Sequence, residues 1–543
     1  MSITRRSLLQ SAAAAPPAIA LTAAEASAYA DPARAAESAA AGKNILIFIT
    51  DQERNIQHFP AGWEQENLPG LTRLKANGVS FENAFCNACM CSPSRATLFT
   101  GLYPAQHGVK NTLELDMPAE FYPQTELSPD LTNIASVMSA AGYEVVFKGK
   151  FHLTKPLDGV VEREDGSYAG NWTQADLERF GFSRWNPPDA GGNQDIVEGG
   201  GGVADNDWRY LSEDGPNEEG KEGVHAFLNA RAGAEQPWCL IVSLINPHDV
   251  LFYPGPPNMD PPKWEQAGYG DPSWYDGDIG IPVTHDEDLS TKPSAQKSYV
   301  RLLNAFGRPR TIEEKQNYLN FYGNLMKLVD GYLVEILDLL ETNGQLADTL
   351  VMRTSDHGEQ GLAHQMQQKN FNFYEETMKV PLVYSNPELF PKARTSRQLV
   401  SHVDILPTLA SLVEAPDEAR SRQWRGIDYS GHVLGTASGE TQDRVVFTYD
   451  DYQAGQKSGP YVRQPNHIRS LREKRWKLAK YFDPNDVEPT EWEMYDLKRD
   501  PLERHNLAHD PAKMTNAQRA QFKRLRSKLE RIERTTLAPL PLR

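Results

Sequence analysis

Four short apolar runs, each cut off by a residue that can bind a metal or an anion, constrain this chain more than any other feature. Ile45-Leu46-Ile47-Phe48-Ile49-Thr50 is too short for a helix and ends at Asp51-Gln52. Tyr143 to Phe147 leads into Lys148-Gly149-Lys150-Phe151-His152, and Cys239 to Ile245 runs directly into Asn246-Pro247-His248. Thr349 to Ser355 ends in Asp356-His357-Gly358-Glu359. Continuous apolar runs of this length are typical of strands buried on both faces. Helical patterns lie between them. One runs from Leu131 to Ala141 and closes at Gly142; a longer one opens with the Thr311/Glu314 capping-box pair, continues through Leu340 and can stop at Gly344. Strands alternating with helices predict an α/β fold built on a large mixed, mostly parallel sheet flanked by helices. Sites in such sheets lie outside the carboxyl ends of the strands. The four strand ends therefore converge on one cleft.

Composition narrows the class further. Of 543 residues 39% are hydrophobic and 24% charged, which excludes global disorder and a fibrous protein. The net charge of −17 argues against a general nucleic-acid binder, because a polyanion would be repelled at long range. A small anion could still enter a locally basic cleft. No apolar run reaches the ~18 to 20 residues that a membrane span needs, so a soluble mature protein is expected. Four cysteines are too few for a disulfide scaffold, and Cys86-x-x-Cys89 lacks a second pair for tetrahedral zinc. At the N-terminus, Thr4-Arg5-Arg6-Ser7-Leu8-Leu9, an Ala-rich stretch and Ala28-Tyr29-Ala30 read in order as a twin-arginine export signal over residues 1–30. The expected residence is periplasmic or secreted in a bacterium, with the export machinery as a partner. Residues 155–300 are rich in Gly, Pro and Trp and read as long loops over the mouth of the site. From Gly426 the pattern shifts to short strands, Val445 to Tyr449 and Trp476 to Tyr481, and a charged helix from Asn516 to Thr535. This divides the chain into a catalytic domain over 43–425 and a smaller α+β C-terminal domain over 426–543. No internal repeat recurs at a fixed period.

Cys91-Ser92-Pro93-Ser94-Arg95-Ala96-Thr97-Leu98-Phe99-Thr100-Gly101 carries the chemistry. Pro93 suits the first turn of a helix and Gly101 its exit, so Cys91 sits where the helix N-terminus concentrates positive potential. An anion would dock there. The segment resembles the sulfatase signature, a cysteine followed by x-Pro-Ser-Arg and then Thr-Gly. The resemblance runs from about Lys43 to Pro407 and, more weakly, through Trp492-Glu493-Met494-Tyr495-Asp496-Leu497. It implies an alkaline phosphatase-like fold and oxidation of Cys91 to formylglycine (3-oxoalanine) by a formylglycine-generating maturation enzyme. The hydrated aldehyde would attack sulfur, and elimination would regenerate the aldehyde and release sulfate. Twin-arginine export carries folded proteins, so the conversion could precede export.

Sulfate ester cleavage needs a hard cation, cationic side chains and an acid for the leaving alcohol. By similarity Asp51, Gln52, Asp356 and His357 fall at metal-ligand positions, with the Cys91 derivative as a further oxygen ligand. The commonest sulfatase pattern has Asp-Asp and then Asp-Asn or Asp-Gln. Asp-Gln with Asp-His instead resembles a branch that includes choline sulfatases and phosphonate monoester hydrolases. Calcium is expected first and manganese second, because imidazole also suits transition metals. The resemblance assigns Lys150 and Lys369 to sulfate binding, His152 to expelling sulfate, His248 to protonating the leaving group and Arg95 to orienting the hydrate. Lys150-x-His152 favours sulfate over phosphonate. A phosphonate monoester or phosphodiester hydrolase with the same nucleophile is the enzymatic alternative, and an anion- or glycan-binding protein with unconverted Cys91 the non-enzymatic one. His402 is read as a structural helix entry. Trp185, Trp208, Trp264 and Trp274 are read as loop packing, with a sugar-stacking wall as the alternative.

Overall fold

The computed structural model describes residues 40–115, 124–163, 168–192, 195–212, 222–253, 260–453 and 462–540. The expected export signal and part of the Pro254–Pro262 loop lie outside them. The apolar runs become β1 (Asn44–Asp51), β3 (Glu144–Gly149), β6 (Trp238–Pro247) and β7 (Thr349–Ser355). They join β2 (Gly78–Phe85), β8 (Leu382–Ser385) and β9 (Arg394–Ser401) in one sheet of order β3-β6-β1-β7-β8-β2-β9. A short hairpin pairs β4 (Val160–Glu162) with β5 (Tyr168–Gly170) outside it. All neighbours in the large sheet are parallel except β8, which runs antiparallel to both β7 and β2.

Alternation explains why these runs are apolar throughout. Ile45, Ile47 and Ile49 enter a core on one face of the sheet, whereas Leu46 and Phe48 enter a second core on the other. Both faces are covered by helices, and Ile312–Thr342 covers one of them. Thr311 caps that helix reciprocally with Glu314 as expected. The other expected helix starts later than read, at Ile134, because Asn133 turns its side chain onto the Ser136 N–H and caps there.

Residues 155–300 hold more structure than loops alone. Helices Asn206–Leu211 and Val224–Ala230 lie within them, too short to repeat an apolar period, and Ser294–Ala305 begins there. Of the tryptophans there, Trp185 is buried, Trp264 tilts over Tyr253, Trp274 meets Tyr269 edge-on, and Trp208, though exposed, lies against His225 and Tyr332.

At the C-terminus β10 (Val445–Tyr449), β11 (His467–Arg472), β12 (Trp476–Phe482) and β13 (Glu491–Asp496) form an antiparallel sheet in chain order. Its two faces have different partners. Val446, Leu471, Leu478 and Met494 take up Leu525, Leu529 and Ile532 of the helix Asn516–Arg534. Phe447, Ile468, Ala479 and Tyr481 pack on Phe371, Phe373 and Tyr374, just beyond Lys369. Among the described residues no helix is long and apolar enough to cross a membrane.

Candidate active site

Adjacent parallel strands put their carboxyl ends on the same edge of a sheet. Thr50 pairs with Ser355 and Gly149 with Ser243, while Asp51 is in register with Pro247. Asp51, Lys150, His248 and Asp356 therefore emerge side by side. The helix Cys91–Thr100 points its first turn at this edge. It is buried at every position and ends on Gly101, whose φ of 66° lets the Gly101 N–H reach the Thr97 carbonyl.

Arg95, one turn after Cys91, holds the edge together. Its Nε donates to Asp356 Oδ2 at 3.1 Å and its Nη2 to Asp51 Oδ2 at 3.0 Å. Nη1 donates to the Lys150 carbonyl and to Ser243 Oγ, at 2.8 and 2.7 Å. Lys150 Nζ lies 2.7 Å from Asp51 Oδ2. Burial raises the Asp51 pKa, but the nearby Lys150, His248 and Arg95 outweigh it and hold the carboxyl below its ordinary value.

Ligand-type atoms of Asp51, Cys91, Asp356 and His357 all lie within 4.8 Å of one another. Cys91 Sγ is 3.3 Å from His357 Nε2 and 3.6 Å from Asp51 Oδ1. The His357 Nδ1 lies 3.0 Å from the Gly358 carbonyl, which can only accept, so Nδ1 carries a proton and Nε2 faces the cluster. Two carboxylates and an imidazole with Nε2 inward suit a divalent cation. Burial pushes the Cys91 thiol up, yet Lys150, Lys369 and His357 hold it well below its ordinary value.

The remaining candidates surround this centre. Lys369 Nζ donates to Gln52 Oε1 at 2.5 Å. His152, at φ 57°, donates from Nε2 to the Leu113 carbonyl at 2.7 Å, which leaves Nδ1 as an acceptor. Burial and then Lys150 push His248 down to about 4, so its imidazole is neutral in this state. Gly191 packs so close that a Cβ there would stand 2.7 Å from Lys150 Nζ and 3.3 Å from His152 Nδ1. All ten candidate residues thus gather in one buried cluster.

A family model described as Sulfatase matches residues 43–415. The chain belongs to the sulfatase family. A second model, the N-sulphoglucosamine sulphohydrolase C-terminal region, matches residues 362–534. The Ulvan-active sulfatase of Formosa agariphila is 24% identical over 486 residues, covering 86% of this chain and 76% of the relative. The Delta 4,5-hexuronate-2-O-sulfatase of Bacteroides thetaiotaomicron is 25% identical over 486 residues, covering 88% and 87%. A solved 2-O GAG sulfatase superposes with a TM-score of 0.64 at 22% identity, covering 91% of this chain and 94% of that one. This sulfatase is accordingly a sulfuric ester hydrolase, in a family that generally uses a metal ion and formylglycine.

Several supporting residues of this sulfatase escaped the sequence reading. Asp189 accepts from the backbone N–H groups of Phe151, His152 and Ala190 and so shapes the turn that aims His152, but nothing in its Pro-Pro-Asp-Ala context marks it. His402 lies closer to the site than a plain helix entry: its Nδ1 is 3.3 Å from Ser94 Oγ, which also hydrogen-bonds the Asp356 carbonyl. Glu359 stood in the Asp356 motif without an assigned role.

Proposed function

We propose that this sulfatase cleaves sulfate esters of carbohydrates with a nucleophile made from Cys91, in a pit that holds the sulfate between Lys150 and Lys369. The observation that carries this reading is the position of the Cys91 side chain. It stands at a helix N-terminus, against Asp51 and His357, with both lysines acting on it. The carbohydrate assignment is supported by the two relatives, whose names place them on ulvan and on a hexuronate 2-O-sulfate.

Formylglycine at position 91, once hydrated, supplies the hydroxyl nucleophile. Asp51, Gln52, Asp356 and His357 would hold a divalent cation, calcium first and manganese second, which would polarise the ester and offset its charge. Lys150 and Lys369 bind sulfate oxygens, and Arg95 keeps Asp51 and Asp356 in place. His248 supplies the proton to the departing alcohol; the negative charge of a bound sulfate acts to raise its proton affinity. His152, with Nε2–H committed to Leu113, offers its Nδ1 lone pair to take the proton released at residue 91 as sulfate leaves. The Arg5-Arg6 signal supports twin-arginine export, with conversion of Cys91 by a maturation enzyme beforehand and residence in the periplasm or outside the cell.

The test is to co-produce the protein with a formylglycine-generating enzyme, obtain the mass of the Cys91 peptide, and compare turnover of a sugar sulfate with a matched phosphodiester. Aldehyde in place of thiol and preference for the sulfate are expected. A strong preference for the diester would make the protein a phosphonate monoester or phosphodiester hydrolase instead. Thiol alone in protein from the native host, with ligand binding and no turnover, would mark a binding protein.

A further inference from the structure

We propose that Glu359 is a positioning residue that decides which end of the Gln52 amide faces the reacting centre. The inference rests on reading the site as a metal-dependent sulfate pit. Gln52 spans from Glu359 to Lys369: its Nε2 donates to Glu359 Oε2 at 2.5 Å and to Gln368 Oε1 at 3.1 Å, and its Oε1 accepts from Lys369 Nζ at 2.5 Å. The Glu359 side chain is fully buried, and its other oxygen is already taken. Oε1 accepts from the Tyr318 hydroxyl at 2.7 Å, the Gly361 N–H at 3.0 Å and the Gln368 N–H at 2.8 Å. Two of these donors are backbone groups and cannot reverse.

The polarity of the amide follows. An ionised carboxylate accepts only and an ammonium donates only, so Gln52 must turn nitrogen to Glu359 and oxygen to Lys369. A half-turn of the amide would set NH2 against ammonium and carbonyl against carboxylate, losing the hydrogen bond at each end. The backbone offers no relief. The Gln52 N–H is bound to Asp356 Oδ1, its carbonyl accepts from Tyr322, and its φ of 71° lies in the left-handed region. Glu359 thus acts on the centre through Gln52, keeping an oxygen rather than an NH2 group turned toward Lys369.

Exchanging the two side chains tests this. In Glu359→Gln the three donors retain the amide oxygen at the old Oε1 position, so the new NH2 meets the NH2 of Gln52 and drives that amide to invert. In Gln52→Glu two carboxylates face each other. The double variant Gln52→Glu/Glu359→Gln restores a donor against an acceptor and leaves an oxygen for Lys369. Each single is expected to lower kcat/KM for a sugar sulfate at least about tenfold, and to weaken calcium binding to the metal-free protein by a similar factor in calorimetry. The double should recover most of both losses, which a merely structural role would not produce. The proposal is overturned if Glu359→Gln stays within twofold of wild type in both readouts, or if the losses of the singles simply multiply in the double. Should Glu359→Gln fail to fold, the comparison passes to the double against Gln52→Glu: tighter calcium binding by the double supports the proposal, and equal binding overturns it. Lack of sulfate turnover by the wild type would sink the functional reading alone, because the calcium measurement still reports on the amide.

Discussion

At the scale of single residues, the site is a set of charges that only works with every partner present. Removing the side chain of residue 91 takes away the nucleophile and little else. Cys91→Ala is therefore expected to keep the wild-type far-ultraviolet spectrum while losing sulfate turnover by at least about 10³-fold. Unchanged turnover in purified, metal-loaded material would end the account. Arg95 is different, because it is fully buried and ties Asp51 to Asp356. Arg95→Met leaves Asp51 with Lys150 alone and takes from buried Asp356 its arginine partner, and breaking such a buried pair typically costs about 3–5 kcal/mol. Urea unfolding of metal-free protein measures it, and a loss under about 1 kcal/mol would show that Lys150 alone balances the pair. The identities of Cys91 and Arg95 were legible in the sequence because motif spacing puts them one turn apart. Asp51 and Asp356 were legible as a pair at the metal positions, but not the Arg95 guanidinium hydrogen-bonded to both, since that contact joins three segments distant in the chain.

At the scale of elements, the strands and the long helix were readable because each carries its own signal: an unbroken apolar run, or a cap with a sustained period. The segment that bears Lys369 has no such signal. It is held by contacts to other elements, and His364 is the clearest of them. This buried imidazole stacks on Tyr374 at 3.6 Å, donates to Glu287 at 2.9 Å and lies 3.8 Å from Glu376. Burial pushes its pKa down, but Glu287 and Glu376 outweigh it and bring it up to about 9. A folded-state value above the unfolded one means that its contribution is complete below about pH 6.5 and fades as pH climbs through about 9. That contribution is on the order of 3 kcal/mol. Denaturation midpoints of wild type and His364→Gln should accordingly lie far apart at pH 6 and approach each other above pH 9. A gap independent of pH would show that His364 acts by packing alone.

At the scale of the whole molecule, the C-terminal sheet belongs to the site as much as to its own helix. One face is apolar and covered by the segment after Lys369. Just past β10, Asp451 Oδ2 accepts the backbone N–H of Thr112 at 2.8 Å, one residue before the carbonyl that orients His152. Truncation after residue 425 should yield insoluble chain, because it would strip the cover from Phe371, Phe373 and Tyr374. A soluble truncated protein with a cooperative unfolding transition would show that the two parts are independent. The sequence by itself determined the buried parallel strands, the helix that begins at Cys91 and the kind of group at each strand end. Those properties are local, set by the period of a few neighbouring residues and by backbone chemistry. Only the tertiary structure decided what each group faces: Gln52 toward Glu359, Arg95 between two carboxylates, His152 onto Leu113. Hydrogen-bond polarity and charge balance belong to pairs, and here the two partners often lie hundreds of positions apart until the sheet brings them together.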